Sequence, residues 1–214
     1  MAINKEACIL VDKSILIAED DDLAAIVLHN ELTRLGYQCF RTSTGQQTLD
    51  FFSGLRKIHL ILLDMVFSDF TGPLVCRALR QQANAVPILG LTAFPTDRYS
   101  HALSLFGAQG LMSKSAYREL IPCIRRIIQG HPMPGFEPVD SAIIRLSNTK
   151  QVLSSLSVTE EKVVLLRING FSNAQIAEYL GNKPSTVRKH WQNITYKLRC
   201  NNADQACRIW ESQL

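Results

Sequence analysis

The chain has 214 residues, with 23 Lys and Arg against 19 Asp and Glu and 46% hydrophobic residues, the composition of a globular protein with room for one large domain or two small ones. No stretch approaches the ~18 continuous apolar residues of a membrane span, and the charged start "MAINKEACILVDKS" lacks the apolar core of a secretory signal, so neither membrane insertion nor export is expected. The six cysteines make no CxxC pair, so reduced thiols in the cytosol are expected over a disulfide or zinc framework.

In chain order, "SILIA" (14–18) is a short apolar strand that runs into acids. Ala25, Leu28, Leu32 and Leu35 then recur at helical spacing until Gly36 stops them. "YQCFRT" (37–42) is a strand and "GQQTLDFF" (45–52) a short helix. "IHLILLD" (58–64) is a buried strand, followed by the helix "PLVCRALRQQ" (73–82) with Pro73 in its first turn. "PILGLT" (87–92), "TDRYSHALSLF" (96–106), "GLMSK" (110–114) and "YRELIPCIRRIIQ" (117–129) continue as strand, helix, strand, helix. Five such strand–helix units in succession predict a doubly wound α/β domain with a five-stranded parallel sheet. Pro122 removes a backbone donor within the last helix, which predicts a late start or a kink there.

"GHPMPGFEPVD" (130–140) reads as a linker, and the residues after it as a linker helix. Everything beyond is helical. Ser157 and Glu160 have capping-box spacing ahead of "TEEKVVLLRIN", which Gly170 stops; "SNAQIAEYL" (172–180) stops at Gly181. "PSTVRKHWQNITYKL" (184–198) and "ADQACRIWESQ" (203–213) complete an all-α, four-helix C-terminal domain. From residue 155 onward eight Lys and Arg face five acids, whereas up to residue 131 the balance is thirteen to twelve. Most of the basic surplus therefore sits in the shorter piece.

Two places carry chemistry. Ligands of open parallel sheets bind beyond the carboxyl ends of the strands, where this chain places Glu19 and Asp20, Asp64, Thr92 and Lys114. Each acid alone is more often a turn-former or helix cap than a ligand, and Asp21 and Asp22 read as caps for the following helix. Together, three carboxylates repel one another until a hard cation such as Mg²⁺ joins them. Asp64 is then placed to attack phosphorus, with Lys114 neutralising the transferring oxygens and the Thr92 hydroxyl donating to one of them. In the tail, "SNAQIAEYLGNKPSTVRKHW" (172–191) has the form of a helix-turn-helix. Its second helix opens with Ser185, Thr186, Arg188 and Lys189, donors suited to phosphates and to the guanine edge. Val187, Trp191, Ile194 and Leu198 recur at core spacing.

"ILIAEDD", "LILLDMVFSDFTG", "PILGLTA" and "GLMSK" resemble the signature segments of a response-regulator receiver domain, of flavodoxin-like fold, over residues 14–130. The resemblance implies Asp64 as phosphoacceptor, Glu19 and Asp20 as the acidic pair, and Val66 as carbonyl donor to Mg²⁺. It implies Thr92 as the switch hydroxyl and Lys114 as the phosphate-sensing lysine. The segment from "LSVTEE" through "GFSNAQIA" to "STVRKH" resembles the LuxR-type helix-turn-helix, and the pair of domains resembles the NarL/FixJ class. That implies a linker over 131–148 and a DNA-binding domain over 149–214. Arg188, Lys189 and Gln192 would face the groove, Asn173, Ser185, Thr186 and Lys197 would contact the DNA backbone, and the helix around 203–209 would carry dimer contacts.

The chain departs from these patterns at Ser68 (family proline), Leu111 (family aromatic switch), Ser115 (family proline), Asn182 (family aliphatic) and Lys183 (family Ser or Thr cap), with Asn182 a substitute cap. The expected function is a transcription factor, not an enzyme, whose dimerisation and binding to double-stranded DNA follow phosphorylation of Asp64 by a histidine kinase. RNA polymerase is a further candidate partner. The alternative, raised by Ser68 and Leu111, is a phosphorylation-independent DNA-binding protein whose receiver is an interaction module. An aspartate-nucleophile phosphohydrolase ranks third, because Val66 stands where its acid/base carboxylate would be.

Overall fold

The computed structural model describes residues 13–53, 57–149, 156–168 and 170–212. Strands β1 (Ser14–Ala18), β3 (Leu60–Asp64) and β4 (Ile88–Thr92) are buried along their whole length. That is why they read as continuous apolar runs and not as alternating ones. With β2 (Gln38–Thr42) and β5 (Gly110–Ser113) they form a parallel sheet in the order β2-β1-β3-β4-β5. The chain thus reverses direction across the sheet between β1 and β3, and the crevice of such a fold opens at that switch point.

Helices α1 (Asp22–Arg34) and α5 (Tyr117–Ile128) cover one face. Leu28, Leu32, Leu120, Ile124 and Ile127 pack there on Ile15, Ile17, Leu60, Leu62, Leu89 and Leu91. The short α2 (Gly45–Asp50), α3 (Gly72–Gln81) and α4 (Asp97–Leu105) complete the α/β unit. Gly90 shows how closely α4 approaches β4: a Cβ there would lie 2.5 Å from Leu103 of α4.

Two expectations are corrected. Leu35 is not part of the buried helix face; it caps α1 and is 38% exposed, because the helix ends at Arg34. Pro122 neither delays nor ends α5, which runs from Tyr117. Its ring lies on the exposed side, where water reaches the carbonyl deprived of a donor.

The Pro/Gly-rich stretch after α5 lies along the α/β unit. Met133 N–H donates to Gln109 O (2.9 Å), Gln109 Nε2 donates to Glu137 O (3.3 Å), and Ser104 Oγ donates to Gly135 O (2.9 Å). Gln109 is itself held by buried Arg80, which donates to its Oε1 (3.1 Å) and to the carbonyls of Gly107, Asn84 and Val86. The guanidinium is solvated by carbonyl dipoles, and burial lowers its pKa. Helix α6 (Val139–Thr149) follows, and the chain divides into two compact units near Ile143.

The second unit contains α7 (Val158–Ile168), α8 (Asn173–Tyr179), α9 (Pro184–Lys197) and α10 (Ala203–Ser212). Val163, Leu166, Ile176, Val187, Trp191, Ile194 and Trp210 are buried in it. The turn between α8 and α9 passes through Gly181 at φ +62, a left-handed conformation that costs glycine little. The predicted capping box of this unit is formed, and a second, not predicted, opens α8. Ser157 N–H donates to Glu160 Oε2 (2.6 Å) while Glu160 N–H donates to Ser157 Oγ (3.3 Å), and Ser172 and Gln175 reciprocate in the same way at α8. No described helix is long and apolar enough to cross a membrane. The described cysteines are free thiols, and Cys8 lies outside the described residues.

Candidate functional site

β1, β3, β4 and β5 deliver their last residues to one end of the sheet. Glu19 and Asp64 are buried, Asp20 is exposed, and one carboxylate oxygen from each lies within 4.8 Å of the others. The Lys114 ammonium sits between the two buried acids. It donates to Glu19 Oε1 (2.8 Å), and ion-pairs with Glu19 Oε2 (2.7 Å) and Asp64 Oδ2 (3.1 Å). Lys114 is held in place through its backbone, whose N–H donates to Thr92 O (2.7 Å). The buried Thr92 accepts the Phe94 N–H at Oγ1 (3.0 Å). Asp21 takes the capping role expected of it, accepting the Ala24 N–H at 2.9 Å, which leaves Glu19 and Asp20 for the site.

The electrostatics are unbalanced in a useful way. Burial, then the Glu19 charge, push the Asp64 carboxyl up to about 7, against the downward pull of Lys114 and of the Met65 N–H that donates to Oδ1 (2.7 Å). Glu19 Oε2 is buried with an ion-pair contact to Lys114 but no hydrogen bond of good geometry. Two close acids with one cation between them, plus an unsatisfied buried oxygen, fit a hard divalent cation. The cluster is that of a Mg²⁺-dependent phosphoacceptor site.

A consequence is testable by titration. Where Asp64 is protonated, a proton must leave before a cation binds. Mg²⁺ affinity, followed calorimetrically, is therefore expected to be flat above pH 8 and to fall about tenfold per pH unit well below 7. A constant affinity from pH 8 to 5.5 would contradict the elevated Asp64 pKa.

The loop after β3 closes without the family proline. Val66 and Thr71 form an antiparallel bridge, Phe67 N–H donates to Phe70 O (3.0 Å), and Gly72 N–H donates to Met65 O (2.9 Å). Ser68 is exposed at the tip of this turn. Gly72 is required by contact, since a Cβ there would lie 2.3 Å from Asp64 O. Asp69, which sequence reasoning did not single out, accepts the Gly45 and Gln46 N–H groups (both 2.9 Å), tying the loop to the start of α2. Leu111 is 5% exposed, with Cδ1 2.8 Å from where a Gly90 Cβ would stand. It already occupies the interior.

In the second unit, Ser185, Arg188, Lys189 and Gln192 are exposed along α9 and Thr186 is half-buried, opposite buried Val187, Trp191 and Ile194. Leu198, expected in the core, is only half-buried at the helix C-cap. Tyr196, four residues beyond Gln192 on the same stripe, is 84% exposed and was not anticipated. Asn173 is half-buried and accepts the Trp191 Nε1–H (3.0 Å), so it braces α8 against α9. Lys197 donates to Glu160 Oε2 at 2.6 Å, bracing α9 against α7. Burial alone would raise the Glu160 pKa, but this bond and the Ser157 donors outweigh it and hold the carboxyl below its usual range. Lys183, not Asn182, occupies the N-cap of α9, and no side chain caps it. Pro184 brings no N–H to this helix start, and the Thr186 N–H donates to Lys183 O (2.9 Å).

An α/β unit with this acid–lysine pocket, joined to a helical unit with an exposed basic helix, defines a phosphate-responsive nucleic-acid-binding protein. Residues 15–124 match the response regulator receiver domain, and residues 154–210 match the luxR family of bacterial regulatory proteins. The chain belongs to the response regulators of the NarL/FixJ class: a DNA-binding regulator in which a receiver's phosphoacceptor site controls a LuxR-type helix-turn-helix output domain. Proteins of this kind regulate and do not turn over a substrate. Among relatives, the chain is similar to the response regulator VraR of Staphylococcus aureus, 24% identical over 70% of this chain and 72% of that one. It is also similar to the alkaline phosphatase synthesis transcriptional regulatory protein PhoP of Bacillus subtilis, 34% identical over 49% of this chain and 43% of that one. RcsB of Salmonella enterica serovar Typhimurium, bound to promoter rprA in the presence of phosphomimetic BeF3-, has the same fold, with a TM-score of 0.53 at 16% identity over 92% of this chain and 98% of that one.

Proposed function

We propose that Asp64 accepts a phosphoryl group from a partner histidine kinase, and that this event governs pairing of two copies on a two-part site in double-stranded DNA. The observation that carries the reading is the placement of Lys114 between Glu19 and Asp64 beside Asp20. Glu19, Asp20, Asp64 and the Val66 carbonyl would hold Mg²⁺. When bound, the cation supplies positive charge next to the transferring oxygens. Ionised Asp64 forms the new P–O bond as the donor's leaving group departs, Lys114 neutralises a phosphoryl oxygen, and the Thr92 hydroxyl donates to another. Incubation with acetyl phosphate and Mg²⁺, read by intact mass, tests the reading. Absence of any adduct would overturn it.

In this reading residues 14–130 are the receiver, 131–148 the linker and 149–214 the output domain. Arg188, Lys189 and Gln192 read the major groove, Ser185 and Thr186 take phosphates at the uncapped start of α9, and α10 supplies dimer contacts. Asn173 and Lys197 contact the DNA backbone from the ends of their bracing interactions with Trp191 and Glu160. RNA polymerase is the downstream partner, tested by transcription in vitro with and without phosphodonor.

Arg188 is exposed, so Arg188→Ala is expected to leave the melting temperature unchanged. It should weaken DNA binding by about 10- to 100-fold at fixed salt, the range of one lost base contact. Gel-shift titration checks this; wild-type affinity would remove Arg188 from the interface. Leu111, buried where an exposed aromatic would swing, favours the second reading of a receiver that acts as an interaction module. Asp64→Asn indistinguishable from the parent on DNA, with phosphodonor present, would favour that reading over the first.

A further inference from the structure

The exposed stripe of α9 does not end at Gln192. Tyr196, one turn further, is 84% exposed, and Arg199, just past the helix, is exposed as well. No acid stands between Glu178 and Asp204. The end of the helix thus presents a cation and a large aromatic on a segment with no negative side chain.

Arg199 stands where the backbone disfavours it. Its φ is +52, in the left-handed region that glycine enters at little cost and other residues rarely adopt. The Arg199 N–H donates to Tyr196 O (3.2 Å) and the Cys200 N–H to Thr195 O (2.9 Å). Glycine is the usual residue in a helix ending of this kind. Ala83 ends α3 in the same conformation, at φ +58, so the backbone alone does not define a site. Ala83 brings only a methyl group, whereas Arg199 holds a guanidinium in solvent one turn from an exposed tyrosine. The ordinary role of a cation here is to meet the partial negative charge of the last carbonyls. Lys197 already lies in that last turn, and this role gives Tyr196 nothing to do.

The charge selects the partner. A polyanion fits this segment better than a second copy of it, because two acid-free basic segments repel each other. The geometry agrees. Tyr196 lies eight residues beyond Arg188, about 12 Å along the axis at ~1.5 Å per residue. The DNA major groove is ~12 Å wide and is bounded by phosphates. A helix that enters it by its first turns leaves its last turn at the rim, against those phosphates.

We infer that Tyr196 and Arg199 are a second contact of α9 with DNA: Arg199 binds a backbone phosphate at the rim of the groove, and the Tyr196 hydroxyl donates to a neighbouring one. The inference rests on α9 being the helix that enters the groove. It gives the end of that helix a sequence-independent role, holding α9 in register while Arg188, Lys189 and Gln192 meet the bases.

The test is Arg199→Gly, Arg199→Lys and Tyr196→Ala in the full chain. Binding to a random-sequence DNA duplex is titrated by fluorescence anisotropy over a range of salt, with and without acetyl phosphate. Melting temperature and oligomer mass are followed in parallel. Glycine suits the left-handed backbone, so Arg199→Gly is expected to melt at or above the parent. Its log affinity should nonetheless depend on log salt with a slope shallower by about 0.9, the share of one phosphate. Arg199→Lys should keep the parent's slope. Tyr196→Ala removes no charge, and should weaken binding about five- to tenfold at unchanged slope. Arg199→Gly with the parent's affinity and slope overturns the inference and leaves the Arg188 reading, tested separately, standing. So does a variant that melts below the parent, since Arg199 would then serve the fold. A lowered oligomer mass at unchanged slope places a second copy on this surface and also overturns it. Failure of the parent itself to bind duplex overturns both readings.

Discussion

Asp64→Asn is expected to abolish phosphoryl labelling, by at least about 100-fold, and with it any gain in DNA affinity on adding phosphodonor. An amide nitrogen has no lone pair for phosphorus, and an amide oxygen is a poor nucleophile and a neutral ligand, so both the reaction and the charge that draws a divalent cation are lost. The same change has a second, opposite effect. Burial and Glu19 raise the Asp64 pKa in the folded state to about 7. Between the unfolded value near 3.9 and about 7, the folded chain holds its proton more tightly than the unfolded chain. That contribution to stability is complete at low pH and is lost as pH rises through about 7. An amide stays neutral throughout. Asp64→Asn should therefore be more stable than the parent at pH 8, by on the order of 1–3 kcal/mol, with the gap closing toward pH 5. Denaturant melts at the two pH values check this. A variant less stable than the parent at pH 8 would mean that the Lys114 contacts outweigh the burial of the charge.

Trp191→Ala is expected to unfold the output unit while leaving the receiver able to accept phosphate. Trp191 is 7% exposed, and its Nε1–H donates to Asn173 Oδ1 (3.0 Å). The indole thus joins the two helices of the helix-turn-helix by packing and by a hydrogen bond. Truncating a buried Trp costs about 3–5 kcal/mol, and a unit as small as residues 144–214 has stability of about the same size to lose. DNA binding should vanish, and one of two thermal transitions should disappear. Acetyl-phosphate labelling should persist, because Asp64 and its neighbours belong to the other compact unit. Trp191→Phe keeps most of the packing and loses only the bond to Asn173, so an intermediate effect is expected from it.

Much of this architecture was legible before the structure. The strands β1, β3 and β4 lie within one or two residues of their expected ends, because strands buried on both faces must be apolar throughout and a charge can appear only where they emerge. For the same reason Glu19, Asp64 and Thr92 announced a site: they are the first polar residues after buried runs that share one direction. The core stripe Val187, Trp191 and Ile194 followed from helical period alone.

What the sequence did not determine are the outcomes set by partners distant in the chain. Nothing local to Lys197 or Asn173 indicates that one is held by Glu160 and the other by Trp191, contacts 37 and 18 residues apart. Nor could local reading show that the Ser68 turn is closed by the bridge between Val66 and Thr71 and clamped by Asp69 to α2, or that the Pro/Gly-rich stretch docks on Gln109. Pro122 does not delay the start of α5, because its cost depends on whether water reaches the unpaired carbonyl, which is a matter of facing and not of sequence. Periodicity and the chemistry of individual residues determined the elements, the pocket's residue types and the basic helix; tertiary packing decided which polar groups are satisfied and which are left waiting, because a hydrogen bond depends on the three-dimensional position of both its ends.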